Sequence, residues 1–203
     1  MEKRVGVLIV DDSPFIRRAV ERMLAPLDRV EVVGTATNGE EAIASARRLR
    51  PDLIILDIVM PEVDGLEAIQ EIMRTRPTPI LVFSSHAQPG AETTLKALEL
   101  GAVDFVSKAD AGTRMDIYEL APVLQEKVLA LAGARAPSRV DEAVAPVPEQ
   151  AGAATLRVPT SSYDLLVLGA STGGPRALAA ILSRLPGTFP AGIVVAQHMP
   201  PGF

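Results

Sequence analysis

A doubly wound α/β fold, built on a five-stranded parallel sheet, follows from three features of the chain. Short apolar runs recur through the first 130 or so residues. Each is followed by a stretch whose apolar residues fall at helical spacing. Gly, Pro, Asn and Asp punctuate the joints between them. Wholly apolar strands are what a parallel sheet covered on both faces requires.

Residues 5–10 form the first expected strand. Pro14 suits a first helical turn, and Ser13 before it is the candidate N-cap. Ile16, Val20, Met23 and Leu24 recur at helical spacing, with Arg17, Arg18, Glu21 and Arg22 on the other face. A second strand is expected over 30–35. After Asn38-Gly39, a helix over 40–49 turns Ala42, Ile43 and Ala46 inward and is closed by Pro51. The third strand, 53–56, ends at Asp57. Pro61 and Gly65 mark a loop before a helix over 66–74. A fourth strand, 80–83, leads to Ser84-Ser85, and a helix over 92–100 stops at Gly101. A brief fifth strand, 104–106, ends at Ser107-Lys108, and a fifth helix is expected over 116–132.

Composition changes at Gly133. From there to Ser162 the chain carries Pro137, Pro146, Pro148 and Pro159 among small and polar residues, with no strand or helix period. This reads as a flexible or semi-extended linker. Beyond it, 163–174 reads as a strand running into a Gly-rich turn, 175–185 as a helix, and 192–196 as a strand ending at Gln197-His198. The expected organisation is a first domain over 1–132, a linker over 133–162, and the truncated start of a second α/β domain over 163–203. About 40 residues cannot bury a core of their own without disulfides or metals.

Hydrophobic residues make up 48% of the chain and charged residues 22%, so it has enough apolar surface to fold. A net charge of −5 argues against bulk electrostatic binding of nucleic acid. The chain has no Cys, which removes disulfides, thiolate metal sites and cysteine nucleophiles together. No apolar run approaches the length of a membrane span. The charged start followed by a short apolar run reads as a strand and not a signal peptide, and the expected location is cytoplasmic.

Ligands of an open parallel sheet gather beyond the carboxyl ends of its strands. Those ends carry Asp11 and Asp12, Asp57, Ser84 and Lys108. Converging carboxylates repel one another unless a cation neutralises them. Oxygen ligands without His or Cys favour a hard ion such as Mg²⁺. The chemistry this permits is phosphoryl transfer to a carboxylate. Asp57 is the expected nucleophile. Asp11, Asp12 and Asp57, with the backbone carbonyl of Val59, would hold the metal. Lys108 would pair with the phosphate, and Ser84 would donate its hydroxyl to it.

Val10-Asp-Asp-Ser-Pro14, Leu56-Asp-Ile-Val-Met-Pro61 with Asp64-Gly65, Val82-Phe-Ser-Ser85 and Asp104-Phe-Val-Ser-Lys108 resemble the motifs of response-regulator receiver domains. The resemblance implies phosphorylation of Asp57 by a sensor histidine kinase, with Mg²⁺ required. It also implies that Ser84 and Phe105 form a switch pair, the serine moving toward the phosphoryl group and the ring turning inward. Ala109 departs from the Pro that usually follows the Lys.

Gly169-Ala-Ser-Thr-Gly173 fits G-x-S-x-G between a strand and a helix, a turn that exposes a serine hydroxyl and aims backbone N–H groups at an oxyanion. A dinucleotide-binding loop is the rival, but Gly169, Gly173 and Gly174 do not fit G-x-G-x-x-G. His198, at the end of the next strand, could serve Ser171 as general base. His86, the other histidine, reads as a solvent-facing loop residue.

Leu168-Gly-Ala-Ser-Thr-Gly-Gly-Pro175 and Gln197-His-Met-Pro-Pro-Gly-Phe203 resemble the start of the catalytic domain of the chemotaxis protein-glutamate methylesterases, the CheB family. That family has the same order of receiver, linker and catalytic domain. The resemblance implies Ser171 as nucleophile on glutamate methyl esters of chemoreceptors, His198 as its base, and the Thr172 backbone as an oxyanion donor. It also implies deamidation of receptor glutamines. The family's third triad member, an Asp near the C-terminus of a longer domain, has no counterpart here, so the chain as it stands is expected to be inactive as an esterase. Two rival classes are a receiver that acts only by binding partners and a receiver with a DNA-binding output. The second would need a helix-turn-helix pattern with clustered basic residues after the linker, and the tail carries only Arg176 and Arg184.

Overall fold

A computed structural model describes residues 4–61, 63–84, 90–108, 114–132 and 163–197. The first unit alternates strands β1 (Val5–Val10), β2 (Val30–Ala36), β3 (Leu53–Leu56), β4 (Ile80–Ser84) and β5 (Asp104–Ser107) with helices. These are α1 (Pro14–Leu24), α2 (Gly39–Leu49), α3 (Gly65–Thr75), α4 (Gly90–Glu99) and α5 (Ala121–Leu131). The strands form one parallel sheet in the order β2-β1-β3-β4-β5. This is the doubly wound arrangement that the alternating pattern predicts.

Side chains alternate across the sheet, so each strand feeds two apolar layers. Leu8, Val10, Ile54, Leu56, Ile80, Val82 and Phe105 face one layer, where Ala42, Ala46, Ile69, Ile72 and Leu98 close over them. Val7, Ile9, Leu53, Ile55, Leu81, Phe83 and Val106 face the other, covered by Val20, Met23, Leu124 and Val128.

The helix starts are written locally. Ser13 caps α1, its Oγ accepting from the Ile16 N–H, with Pro14 in the first turn. Asn38 caps α2 and Asp64 caps α3, each accepting a backbone N–H at 2.9 Å. Arg50 closes α2 in the left-handed region at φ 52°, just before Pro51.

The fifth helix departs from expectation. Arg114–Leu120 winds as a 3-10 turn, and the α-helix begins at Ala121. Pro122 has no N–H and is tolerated in an α-helix only in its first turn, so the helix cannot start earlier in the same register. Lys127 of α5 forms an ion pair with Asp104 at 2.6 Å, its side chain 14% exposed and that of Asp104 3%. The second oxygen of Asp104 accepts the Phe105 N–H at 2.8 Å, at the open edge of the sheet.

The second described unit holds β6 (Leu165–Ala170), α6 (Gly174–Leu182) and β7 (Gly192–Gln197), with β6 and β7 paired in parallel. The helix α6 is shorter than the sequence pattern suggests, ending at Leu182. Leu165, Val167, Ile193, Val194 and Val195 of this pair are exposed. No described helix is long and apolar enough to cross a membrane.

Removing one partner of a largely buried ion pair leaves the other charge uncompensated. Lys127→Met is therefore expected to lower stability by about 3 kcal/mol, read as a fall in the urea midpoint of the first unit. An unchanged midpoint would mean that the pair contributes nothing net.

Candidate functional site: an acidic pocket bridged by a lysine

The strand register assembles the pocket. Val10 lies opposite Leu56, so the next residues, Asp11 and Asp57, emerge side by side at the carboxyl edge. The Asp57 N–H donates to Val10 O at 2.9 Å and the Asp11 N–H to Ala36 O at 3.1 Å, extending the ladder into the site. Ser84 lies opposite Ser107, which places Lys108 one residue past the end of β5.

Lys108 crosses to the two carboxylates. Its Nζ lies 2.5 Å from Asp11 Oδ2 and 2.5 Å from Asp57 Oδ2. All three side chains are under 9% exposed. The same ammonium sits 5.3 Å from the centre of the Phe83 ring, a favourable cation–π distance. Carboxylate oxygens of Asp11, Asp12 and Asp57 lie within 4.8 Å of one another, with Asp12 exposed at the rim. Burial pushes the Asp11 carboxyl above its ordinary value, and the nearby Asp57 charge adds to this. Lys108 and the Ser13 N–H act in the opposite sense.

Two local devices shape the loops. Asp57 Oδ1 accepts from the Val59 N–H at 3.3 Å, which folds the β3–α3 loop back over the pocket. Gly65 then passes so close that a Cβ there would collide with Asp57 O and lie 2.5 Å from Ile58 Cα. Only glycine permits that approach, which accounts for the Asp64-Gly65 signal in the sequence.

Of the residues the sequence singles out, the structure brings Asp11, Asp12, Asp57 and Lys108 together. Val59 lies in the loop after Asp57, its side chain exposed. Ser84 and Phe105 are buried, so the Phe105 ring is inward in this structure, within the layer that also contains Met60, Ala97 and Leu98. His86, Ala109 and His198 lie outside the described residues.

Sequence reasoning missed Arg17, which helical periodicity assigns to the polar face of α1. Its Nη1 donates to Asp11 O at 2.7 Å and to Asp12 O at 3.0 Å. It also missed the Asp104–Lys127 pair. A groove between α1 and β2, lined by Glu21, Leu24, Val30, Val32 and their neighbours, contains none of the candidate residues.

In the second unit Ser171 follows β6 and is exposed, and Thr172 is half-buried beside it. Gly173 takes φ 75°, a left-handed conformation that lets the chain turn sharply into α6. The Gly174 N–H donates to Ser171 O at 2.7 Å, and the Gln197 side-chain amide donates to the same carbonyl at 3.1 Å. A Cβ on Gly174 would collide with that Gln197 side chain. Register ends on the pair Ala170 and Gln197, the residues immediately before Ser171 and His198.

The raised Asp11 pKa carries a stability consequence. Between 3.8 and the higher folded value the native state holds more protons, so this group's contribution to stability falls as pH rises above 3.8. Asp11→Asn is expected to raise the melting temperature at pH 7 in EDTA, the gain over the parent vanishing below pH 3.8. A lowered melting temperature would mean that the Lys108 pair outweighs desolvation.

Comparison with known proteins agrees with this geometry. Residues 7–116 match the family model for the response regulator receiver domain, and residues 166–203 match that for the CheB methylesterase. A protein-glutamate methylesterase/protein-glutamine glutaminase of Oleidesulfovibrio alaskensis is 43% identical, covering 98% of this chain and 60% of that protein. One from Carboxydothermus hydrogenoformans is 46% identical, covering 98% and 57%. The chain thus spans about 60% of the length of these relatives. The response regulator domain of Thermotoga maritima CheB superposes with a TM-score of 0.60 at 38% identity, covering 64% of this chain and 97% of that one. The chain belongs to the response-regulator receiver family, and specifically to its CheB members, with a receiver domain followed by part of a methylesterase domain.

Proposed function

We propose that the chain is the phosphorylation-controlled part of a chemotaxis methylesterase, with Asp57 accepting a phosphoryl group from a sensor histidine kinase. The observation that carries this is the buried Lys108 bridge between Asp11 and Asp57, beside a third carboxylate. Three clustered oxygen donors suit Mg²⁺, and Asp11, Asp12, Asp57 and the Val59 carbonyl would hold it. When bound, the ion neutralises charge on the transferring phosphoryl oxygens. Asp57 Oδ attacks phosphorus and the histidine nitrogen leaves. Lys108, already within reach of Asp57, pairs with the new phosphoryl oxygens, and the Ser84 hydroxyl donates to them.

The output in this reading is hydrolysis of glutamate methyl esters on methyl-accepting chemoreceptors, and deamidation of receptor glutamines. Ser171 attacks the acyl carbon with His198 as base, and the Thr172 N–H faces the oxyanion. Water then releases the glutamate, methanol having left in the first step. This reading divides the chain into 1–132, 133–162 and 163–203, with α5 ending at Leu131 and β6 starting at Leu165. Helices α4 and α6 approach within 8 Å between Cα atoms, which supports a contact between the receiver and the methylesterase part. A dianion at Asp57 can regulate by this contact only as far as it favours the undocked arrangement over the docked one.

Labelling with acetyl [³²P]phosphate tests the acceptor. The parent chain is expected to label in Mg²⁺ and not in EDTA, and Asp57→Asn to remain unlabelled. Undiminished labelling of Asp57→Asn would refute the assignment. For the output, methanol release from methylated receptors by the full-length protein is expected to rise with acetyl phosphate, and equal rates would refute phosphorylation control.

A further inference from the structure

We propose that Arg17 is a positioning residue for the cation site, fixing the loop that presents Asp11 and Asp12. The inference rests on the reading of the acidic pocket as a Mg²⁺ site. Arg17 stands one turn into α1 and reaches back over the helix start. One nitrogen, Nη1, donates both its hydrogens, to Asp11 O at 2.7 Å and to Asp12 O at 3.0 Å. Two successive peptide planes are therefore held by a single charged donor. Such charge-assisted hydrogen bonds are roughly twice as strong as neutral ones.

The two aspartates depend on this grip unequally. Asp11 is also held by its N–H on Ala36 O, by Oδ1 accepting the Ser13 N–H at 2.9 Å, and by Lys108. Asp12 is exposed, and among the described residues its only hydrogen bond is the one from Arg17. Without Arg17 the Asp12 carbonyl loses its partner, and the peptide it shares with the Ser13 N–H is held by Asp11 Oδ1 alone, so a ligand at the rim of the pocket would be positioned less firmly before binding. The cost of ordering it on binding lowers affinity. Hydrogen bonds from the Thr37 N–H and hydroxyl hold the nearby Glu41 carboxyl below its ordinary value, with a smaller contribution from the Arg17 charge. Glu41 in turn holds Thr37, next to the strand end that accepts the Asp11 N–H.

A fixed positive charge behind a cation site has an opposing effect, because it repels the ion. The two effects predict opposite signs for the neutral variant. If positioning prevails, Arg17→Met weakens Mg²⁺ binding. If repulsion prevails, Arg17→Met tightens it. Two carbonyl oxygens accept from the guanidinium, and the Asp12 side of the contact is exposed. Solvent reaches this rim and screens the charge further, so positioning is the stronger effect.

The test is calorimetric titration of MgCl₂ into the parent chain, Arg17→Met and Arg17→Lys, with melting of each in EDTA. Arg17→Met is expected to raise the Mg²⁺ Kd about tenfold, the worth of one charge-assisted hydrogen bond. Arg17→Lys, which keeps the charge and a donor, is expected to fall between the two. Melting in EDTA is expected to change little, since the carbonyls can turn to water at the rim. An Arg17→Met variant that binds Mg²⁺ as tightly as the parent, or more tightly, overturns the proposal. So does an Arg17→Lys variant with parental affinity if Arg17→Met does not fold. A parent chain that binds no Mg²⁺ overturns the reading of the pocket itself, which is a separate and recognisable failure.

Discussion

One ammonium group standing between two buried carboxylates is the constraint around which the receiver is arranged. Asp11 and Asp57 leave adjacent strands at the same level, and the sheet shields both from water. Left alone they would repel each other across a few ångströms of low-polarity space. Lys108 resolves this from the far side of the sheet, 97 residues from Asp11 and 51 from Asp57 in the chain. The strand order β2-β1-β3-β4-β5 makes that reach feasible, because the acidic strands lie central and β5 closes the edge. The site therefore exists only when the whole sheet does.

Much of this was legible because the carboxyl end of a parallel strand is a place, not just a position. Asp11, Asp57 and Lys108 each stand just past the end of a strand, and the fold rule converts that into proximity. Periodicity fails where a side chain acts along the chain instead of across the sheet. Arg17 sits on the polar face of α1 by every helical count, yet its length lets it turn back to the loop it follows. Lys127 looks like any solvated helix position, and nothing local says that Asp104 lies beneath it. The split of the last helix was visible in Pro122, whose missing N–H was a signal that apolar spacing obscured.

The methylesterase part is built on different terms. Its turn is set by local backbone chemistry: Gly173 in a left-handed conformation, Gly174 lacking a Cβ, and Gln197 reaching across from β7 to the Ser171 carbonyl. Its two strands, however, keep apolar side chains exposed, so no core secures them among the described residues. A pattern of glycines can thus be read from a short segment, whereas burial is not set by local sequence.

The sheet of the receiver divides its interior into two oily compartments with no side chain in common. Phe105 is packed in one of them, while Val106, the next residue, is packed in the other. Packing around the Phe105 ring therefore involves the α3 and α4 side and is separated from the α1 and α5 side by a layer of backbone. Substitutions that repack the second compartment can alter how firmly the protein holds together while leaving the packing around Phe105 as it was.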